Sequence, residues 1–269
     1  MMTKIIGFIG VGNMGSAILK GLLNSEFARP ENIIASRRNA DMLAAFAEDF
    51  GIQTTTDNKI VAAKADILFL AVKPHMYEDV IKEVRDDVGA DTIVVNIAAG
   101  VSIADIEDYF GHSMKVVRAM PNTPSLVGEG MVGVCFNKRV STDEQNEIVN
   151  LFSQLGTAEV ITEDLINAVI GVSGSSPAIL YMVVEALADS AVKNGMPRNQ
   201  AYVFAAQAMV GAGKMVLETG DHPGKLKDDV CSPGGGTIDA VIAAEDKGLR
   251  SAIMAAVDAT VQKSIRMEK

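Results

Sequence analysis

The chain has 269 residues, 48% of them apolar and 22% charged, with a formal net charge of −10. That is enough chain for two domains with ample core and too apolar a composition for disorder, while the acidic balance argues against a nucleic-acid or anionic-membrane partner. The two cysteines, Cys135 and Cys231, lie far apart and form no C-x-x-C, which argues against a disulfide framework or a zinc site and points to a reducing cytoplasm.

The first predicted strand, Lys4–Ile9, begins almost at Met1 and leaves no room for a signal peptide. It runs into Gly10-Val11-Gly12-Asn13-Met14-Gly15 and then a predicted helix over Ser16–Asn24. Gly10 permits the tight turn, Gly12 lets a pyrophosphate approach the backbone, and Gly15 lets the helix pack on the strand. The helix start, with Asn13 and Met14, offers unpaired N–H groups and a positive dipole end to phosphate. An isolated glycine triplet can be no more than a strained turn, but the strand before it and the helix after it favour dinucleotide binding. The second strand, Asn32–Ala35, ends in Ser36-Arg37-Arg38, where an NAD-binding unit places an acid for the ribose 2′-OH. A hydroxyl and two guanidiniums suit a 2′-phosphate, so NADPH is expected ahead of NADH. The alternative is an exposed basic turn.

Predicted elements continue as helix Ala40–Phe50, strand Ile67–Ala71, helix Tyr77–Val88, strand Thr92–Asn96, helix Ile103–Phe110, strands Lys115–Arg118 and Val132–Phe136, helix Thr142–Leu155 and a short strand at Val160–Ile161. This alternation indicates a doubly wound, Rossmann-type parallel sheet over residues 1–161, an α/β domain. Ligands of such sheets sit outside the carboxyl ends of the strands. Ala71-Val72-Lys73-Pro74 is expected to border the cofactor there, Asn96-Ile97-Ala98-Ala99-Gly100 offers small residues against which a flat ring could lie, and Arg118–Pro124 follows the next strand at the same edge, although Pro, Gly and Asn also serve ordinary turns.

After Ile161 the pattern becomes helical, giving a second, all-helical domain over residues 162–269. Its stretches Ala178–Asn194 and Asn199–Thr219 are apolar nearly all round. Surface helices of a monomer are apolar on one face only, so an intertwined homo-oligomer is expected; the alternative is that the first domain covers the surplus. Val169–Val192 is apolar but interrupted by Gly171, Gly174, Pro177, Glu185 and Asp189, and is not expected to span a membrane. Ser232-Pro233-Gly234-Gly235-Gly236-Thr237 precedes the helical stretch Ile238–Lys247, and its glycines and hydroxyl could form a small anion cradle. A flexible linker with Thr237 as cap is the other reading. His75, His112 and His222 share no ligand spacing, so no metal is expected. No residue set demands acid–base or nucleophilic catalysis, which suits an enzyme whose cofactor carries the chemistry.

Leu226–Ile238, with its Gly-Gly-Gly-Thr segment, resembles the signature of the pyrroline-5-carboxylate reductase family, and Gly7–Gly15, Ala71–Pro74, Arg118–Pro124 and Gly171–Pro177 agree with it. The resemblance spans essentially the whole chain. It implies reduction of L-1-pyrroline-5-carboxylate to L-proline with NADPH, or also NADH, by a dinucleotide-binding domain followed by a helical domain that interlocks in a dimer, often built up to a decamer. It further implies that Gly235, Gly236 and Thr237 hold the substrate carboxylate, with Thr237 near the reacting ring, that Glu163 is a substrate-site acid, and that Ser36 and Asn58 contact the cofactor. Asp229 stands where the family often has Asn, which puts a contact from it to the nicotinamide side in doubt.

Three rivals remain. One is a reductase of a related cyclic imine. Another is a β-hydroxyacid dehydrogenase, whose second-domain lysine has no counterpart in Val172–Tyr181. A nucleotide-sensing binding protein without turnover is the third, and the Gly-Gly-Gly-Thr segment argues against it.

Overall fold

The computed structural model describes residues 2–268. These form two compact units, one running to Gly174 and resumed from Thr260 onward, the other spanning Ser175–Ala259. The first unit therefore extends past the boundary expected at residue 161 and takes back the end of the chain.

The first unit is built on eight strands: β1 (Ile6–Ile9), β2 (Ile33–Ser36), β3 (Gln53–Thr55), β4 (Ile67–Leu70), β5 (Ile93–Asn96), β6 (Lys115–Met120), β7 (Gly130–Phe136) and β8 (Gly156–Val160). Their order across the sheet is β3-β2-β1-β4-β5-β6-β7-β8. All neighbours are parallel except β6 and β7, which pair antiparallel. The order reverses between β1 and β4, the topological switch point at which a doubly wound sheet opens a crevice.

Both faces are covered, as a parallel sheet requires. Alternation along β1 and β4 sends Ile6, Phe8, Ile67 and Phe69 to one core, which Ile18, Leu19 and Leu22 of α1 (Asn13–Asn24) and Ile148 and Phe152 of α6 (Thr142–Ser153) complete. Phe8 and Phe69 stack there with centroids 4.8 Å apart. Ile9, Leu68 and Leu70 face the other core, with residues of α3 (Asn58–Lys64), α4 (Tyr77–Val84) and α5 (Ile103–Phe110). Gly7 is required on that face, because a Cβ would come within 2.7 Å of Ala65 Cβ and 2.8 Å of Val61 Cγ1.

Most predicted elements are present with shifted ends, and α2 (Ala40–Phe50) and α5 coincide with their predicted spans. The last strand lies at Gly156–Val160, earlier than expected. The sequence reading missed β3 and α3. The former is a three-residue polar edge strand, too short for a periodic signal. The latter has one turn signal, Asp57, whose side chain accepts from the Lys59 amide.

The second unit is helical: α8 (Ser176–Lys193), α9 (Arg198–Thr219), α10 (Pro223–Val230), α11 (Gly236–Asp246) and most of α12 (Leu249–Met267), which passes back into the first unit. A short helix α7 (Ile166–Val169) and a π-helical turn at Ile170–Gly174 precede α8. Besides α3, the unpredicted helices are α7, α10 and α12. Large apolar side chains of α8 and α9 are exposed in the single chain, among them Tyr181, Met182, Val203, Phe204 and Leu217. By length and composition alone, the helical run Glu163–Lys193 is also apolar enough to cross a membrane.

Buried Tyr77 ties the ends of two central strands. Its phenol donates to the Leu70 carbonyl at the end of β4, and the Ile97 and Ala98 amides after β5 point to the same oxygen. Burial, offset in part by those amides, holds the phenol pKa above its ordinary value. Tyr77→Phe is expected to cost roughly 1–3 kcal/mol, because the Leu70 carbonyl loses the phenol donor and the Ile97 amide loses the oxygen it faces in a dry core, while the Ala98 amide keeps Asn96. Urea denaturation followed by circular dichroism measures this, and an unchanged midpoint contradicts it.

Candidate active site

A cavity of about 740 Å³ opens at the switch point, lined by Gly10–Gly15, Ser36–Arg38, Asn58, Ala71–Pro74, Met76, Val80 and Ile97–Ala99. The fold thus brings together every expected cofactor residue except Gly100. Gly100, at φ 77°, packs instead against the backbone of Met267, where a Cβ would lie 3.2 Å from the Met267 carbonyl oxygen.

The glycine loop has the shape a pyrophosphate needs. Gly10 has φ 84°, and a Cβ there would strike Val72 Cγ1 at 2.8 Å. At Gly15 a Cβ would meet the Gly10 carbonyl at 3.2 Å, whereas at Gly12 it would meet nothing, so only the missing side chain keeps that space open. Gly12 is the N-cap of α1 and no side chain caps the helix, leaving its first amides to a bound anion. The residues present therefore fit a dinucleotide.

At the adenosine-ribose end, Arg37 Nη1 donates to the Val11 carbonyl at 3.0 Å, fixing the guanidinium beside the loop. Arg38 is exposed. Ser36 is fully buried, and its hydroxyl donates to Asn58 Oδ1 at 2.7 Å, while Asn58 Nδ2 donates to Glu83 Oε2 at 3.1 Å. Those two polar groups are engaged with each other, which leaves the two arginines as the charged donors for a 2′-phosphate.

The far wall is the loop after β5, and it is strongly tied. Asn96, fully buried, accepts from the Ala98 amide at 2.8 Å and donates to the Val101 carbonyl at 2.7 Å. The loop ends at α5, whose Ile103 amide donates to Glu163 Oε1 at 2.8 Å. The same oxygen accepts from Arg118 Nη1 at 2.9 Å. Glu163 is thus not among the cavity-lining residues; its Oε1 is committed to these two donors, so a substrate contact would fall to Oε2. Arg118 itself is 2% exposed in the middle of β6 and donates through Nη2 to Glu268 Oε1 at 2.6 Å. Burial raises the Glu268 carboxyl pKa, but hydrogen bonds from Arg118 and Asn167 outweigh it and hold the group below its usual range.

The sequence reading placed Asn96 and Arg118 at the head of two functional strand-end segments without a task for either side chain, and it gave no role to Tyr77 or Glu268. One signal was available for Arg118: a charge inside the strand Lys-Val-Val-Arg-Ala-Met has to be paired wherever it is buried. Beside it, Cys135 is pushed up to about 12 by burial, with the Glu163 charge adding to the effect, and stays an inert thiol.

In the helical unit, Gly234 has φ 70° and Gly235 is the N-cap of α11, again without a side-chain cap. The Gly235 amide donates to the Ser232 carbonyl at 3.0 Å, and Gly236 and Thr237 at the helix start are exposed. Asp229 is engaged by Lys225 Nζ at 2.7 Å on the surface of α10.

Comparison with known proteins agrees with this geometry. Residues 163–267 match the family model for pyrroline-5-carboxylate reductase dimerisation, and residues 5–100 match that for NADP oxidoreductase, coenzyme F420-dependent. The chain is 49% identical to pyrroline-5-carboxylate reductase of Escherichia coli over the whole of both chains. Among solved structures, it is similar to a pyrroline-5-carboxylate reductase from Coxiella burnetii (TM-score 0.92, 35% identity, all of both chains). It is also similar to the Plasmodium falciparum pyrroline carboxylate reductase with NADP bound (TM-score 0.90, 30% identity, all of both chains). With an uncapped glycine loop at the switch point, a helical second unit and identity along its full length, the chain belongs to the pyrroline-5-carboxylate reductase family.

Proposed function

We propose that the chain reduces the C=N bond of L-1-pyrroline-5-carboxylate to L-proline with NADPH, the last step of proline synthesis. The observation that carries this reading is the second uncapped glycine helix start, Gly235-Gly236-Thr237, in a chain that also has a dinucleotide cleft. A dinucleotide needs one such anion site; the other suits a small carboxylate. NADPH, when bound, supplies a hydride to the imine carbon.

The chain's own residues bind and orient. Gly10, Gly12, Asn13, Met14 and Gly15 hold the pyrophosphate, and Arg37 and Arg38 hold the 2′-phosphate. Ser36 and Asn58 shape that pocket, while Ala71–Pro74 and Ala98–Gly100 border the remainder of the cofactor. The amides of Gly236 and Thr237, with the Thr237 hydroxyl, take the substrate carboxylate and fix the ring, so that catalysis is chiefly positioning. The imine nitrogen arrives protonated from solution, and the product amine keeps that proton, so no side chain has to act as acid. Glu163 faces the substrate through Oε2, since Oε1 is taken by the Ile103 amide and Arg118.

The dimerisation family model over residues 163–267 supports a homo-oligomer with a dimer as the smallest unit, and we take the decamer of the family resemblance as its larger form. We assign the exposed apolar side chains of α8 and α9 to contacts between subunits, not to a membrane, and place the enzyme in the cytoplasm with no nucleic-acid partner.

Following NADPH and NADH oxidation with pyrroline-5-carboxylate and with its six-membered-ring homologue tests the reading. The five-membered ring and NADPH are expected to give the highest kcat/KM; preference for the larger ring identifies the related imine reductase instead. Replacing both Arg37 and Arg38 by Ala is expected to raise KM for NADPH at least about tenfold, the worth of a lost charge-assisted hydrogen bond, while KM for NADH changes by less than about twofold. An equal effect on the two cofactors contradicts the 2′-phosphate assignment. Thr237→Ala is expected to lower kcat/KM for the imine by about 10- to 100-fold with KM for NADPH unchanged. Unchanged imine kinetics would remove Thr237 from the site.

A further inference from the structure

The wall after β5 is held from two ends. Its start is fixed locally by Asn96 and Tyr77, both within one short stretch of the sheet. Its exit is fixed from the other end of the chain. The Ile103 amide rests on Glu163, Glu163 is shared with Arg118, and Arg118 is shared with Glu268. Glu268 Oε2 also accepts from Asn167 Nδ2 at 2.9 Å, and Asn167 Oδ1 accepts from Ser264 Oγ at 2.6 Å, which fastens the last turn of α12 to α7. Met267, one residue before, lies against Gly100.

Arg118 makes this arrangement sensitive. Its guanidinium is buried and its Nε has no partner among the described residues. Without Glu268, Nη2 would be a second unpaired donor on a buried cation, a costly state. The remedy within reach is for the guanidinium to take both oxygens of Glu163, which draws Oε1 away from the Ile103 amide and frees the exit of the wall.

We propose that Glu268 is a positioning residue for hydride transfer: by pairing with Arg118 it keeps Glu163 on the Ile103 amide, and with Met267 it sets the loop over residues 97–101 that borders the reactive end of the cofactor. The proposal rests on the reading above that Ala98–Gly100 border that end of the cleft. Glu268 does not line the cleft and its hydrogen bonds go to Arg118 and Asn167, so it acts on orientation and leaves anchoring of the phosphates to the glycine loop.

The test compares Glu268→Gln, Glu268→Asp and a chain ending at Met267 with the parent enzyme, all as full oligomers. NADPH affinity is read from nicotinamide fluorescence, kcat at saturating NADPH and imine, and backbone exchange by hydrogen–deuterium mass spectrometry over residues 97–103. Expected for Glu268→Gln and the shortened chain are a kcat at least about fivefold lower, an NADPH Kd within about twofold of the parent, and faster exchange confined to 97–103. Glu268→Asp is expected to recover part of the lost kcat. If kcat and exchange stay within about twofold of the parent in both variants, the proposal is overturned. It is equally overturned if kcat, NADPH affinity and Tm fall together, since that marks a general brace. Parent enzyme that oxidises no NADPH with the imine overturns the functional reading, and exchange over 97–103 then still decides whether Glu268 holds the wall.

Discussion

A helix start leaves backbone N–H groups without partners inside the helix, and something outside must take them. In this chain α2, α3, α5 and α6 use Asn39, Asp57, Ser102 and Ser141 for that purpose. By contrast α1, α4, α8, α9 and α11 lack a side-chain cap, and of these only α1 and α11 begin on glycines, Gly12 and Gly235, which have no side chain to offer or to obstruct a ligand. In the proposed reading both give their amides to an anion, one at the switch point of the sheet and one in the helical unit. The proposed chemistry needs two anionic ligands, a dinucleotide and a small carboxylate, and the same physical device is repeated for each.

Everything else at the cleft concerns how well its walls are held. The parallel sheet supplies strand ends, but strand ends continue into loops, and loops move unless their polar groups are engaged. Asn96 closes the loop after β5 on itself, and Tyr77 stitches it to β4. Arg118 carries the same task further, because a guanidinium at 2% exposure cannot be left unpaired and so recruits carboxylates from distant stretches of chain. A buried charge of this kind contributes little net stability, but it specifies which segments must meet.

Much of this was legible in the sequence. The glycine loop, the basic turn at Ser36–Arg38 and the strand ends near Lys73 and Ala98 stood out because each violates a local rule, and local rules are broken where ligands bind. Periodicity located the central strands, since residues buried on both faces read as unbroken apolar runs. It failed at β3, which is polar and at the edge, and at α10 and α12, where polar residues dilute the stripe that would mark a monomer's helix. The return of the chain end to the first unit was invisible for a different reason. The contacts of Glu268 with Arg118 and Asn167 join residues more than a hundred positions apart, and no local pattern encodes a pairing at that distance.

In the proposed function the cleft and the Gly235–Thr237 helix start serve one reaction, hydride transfer to an imine carbon. The most direct measurement uses NADPH carrying deuterium at both positions of nicotinamide C4, incubated with the enzyme and unlabelled pyrroline-5-carboxylate, with the product examined by mass spectrometry and NMR. Proline bearing a single deuterium at the ring carbon that held the C=N bond is the expected product. Proline without deuterium, or NADPH consumed with no proline formed, would contradict the proposed function.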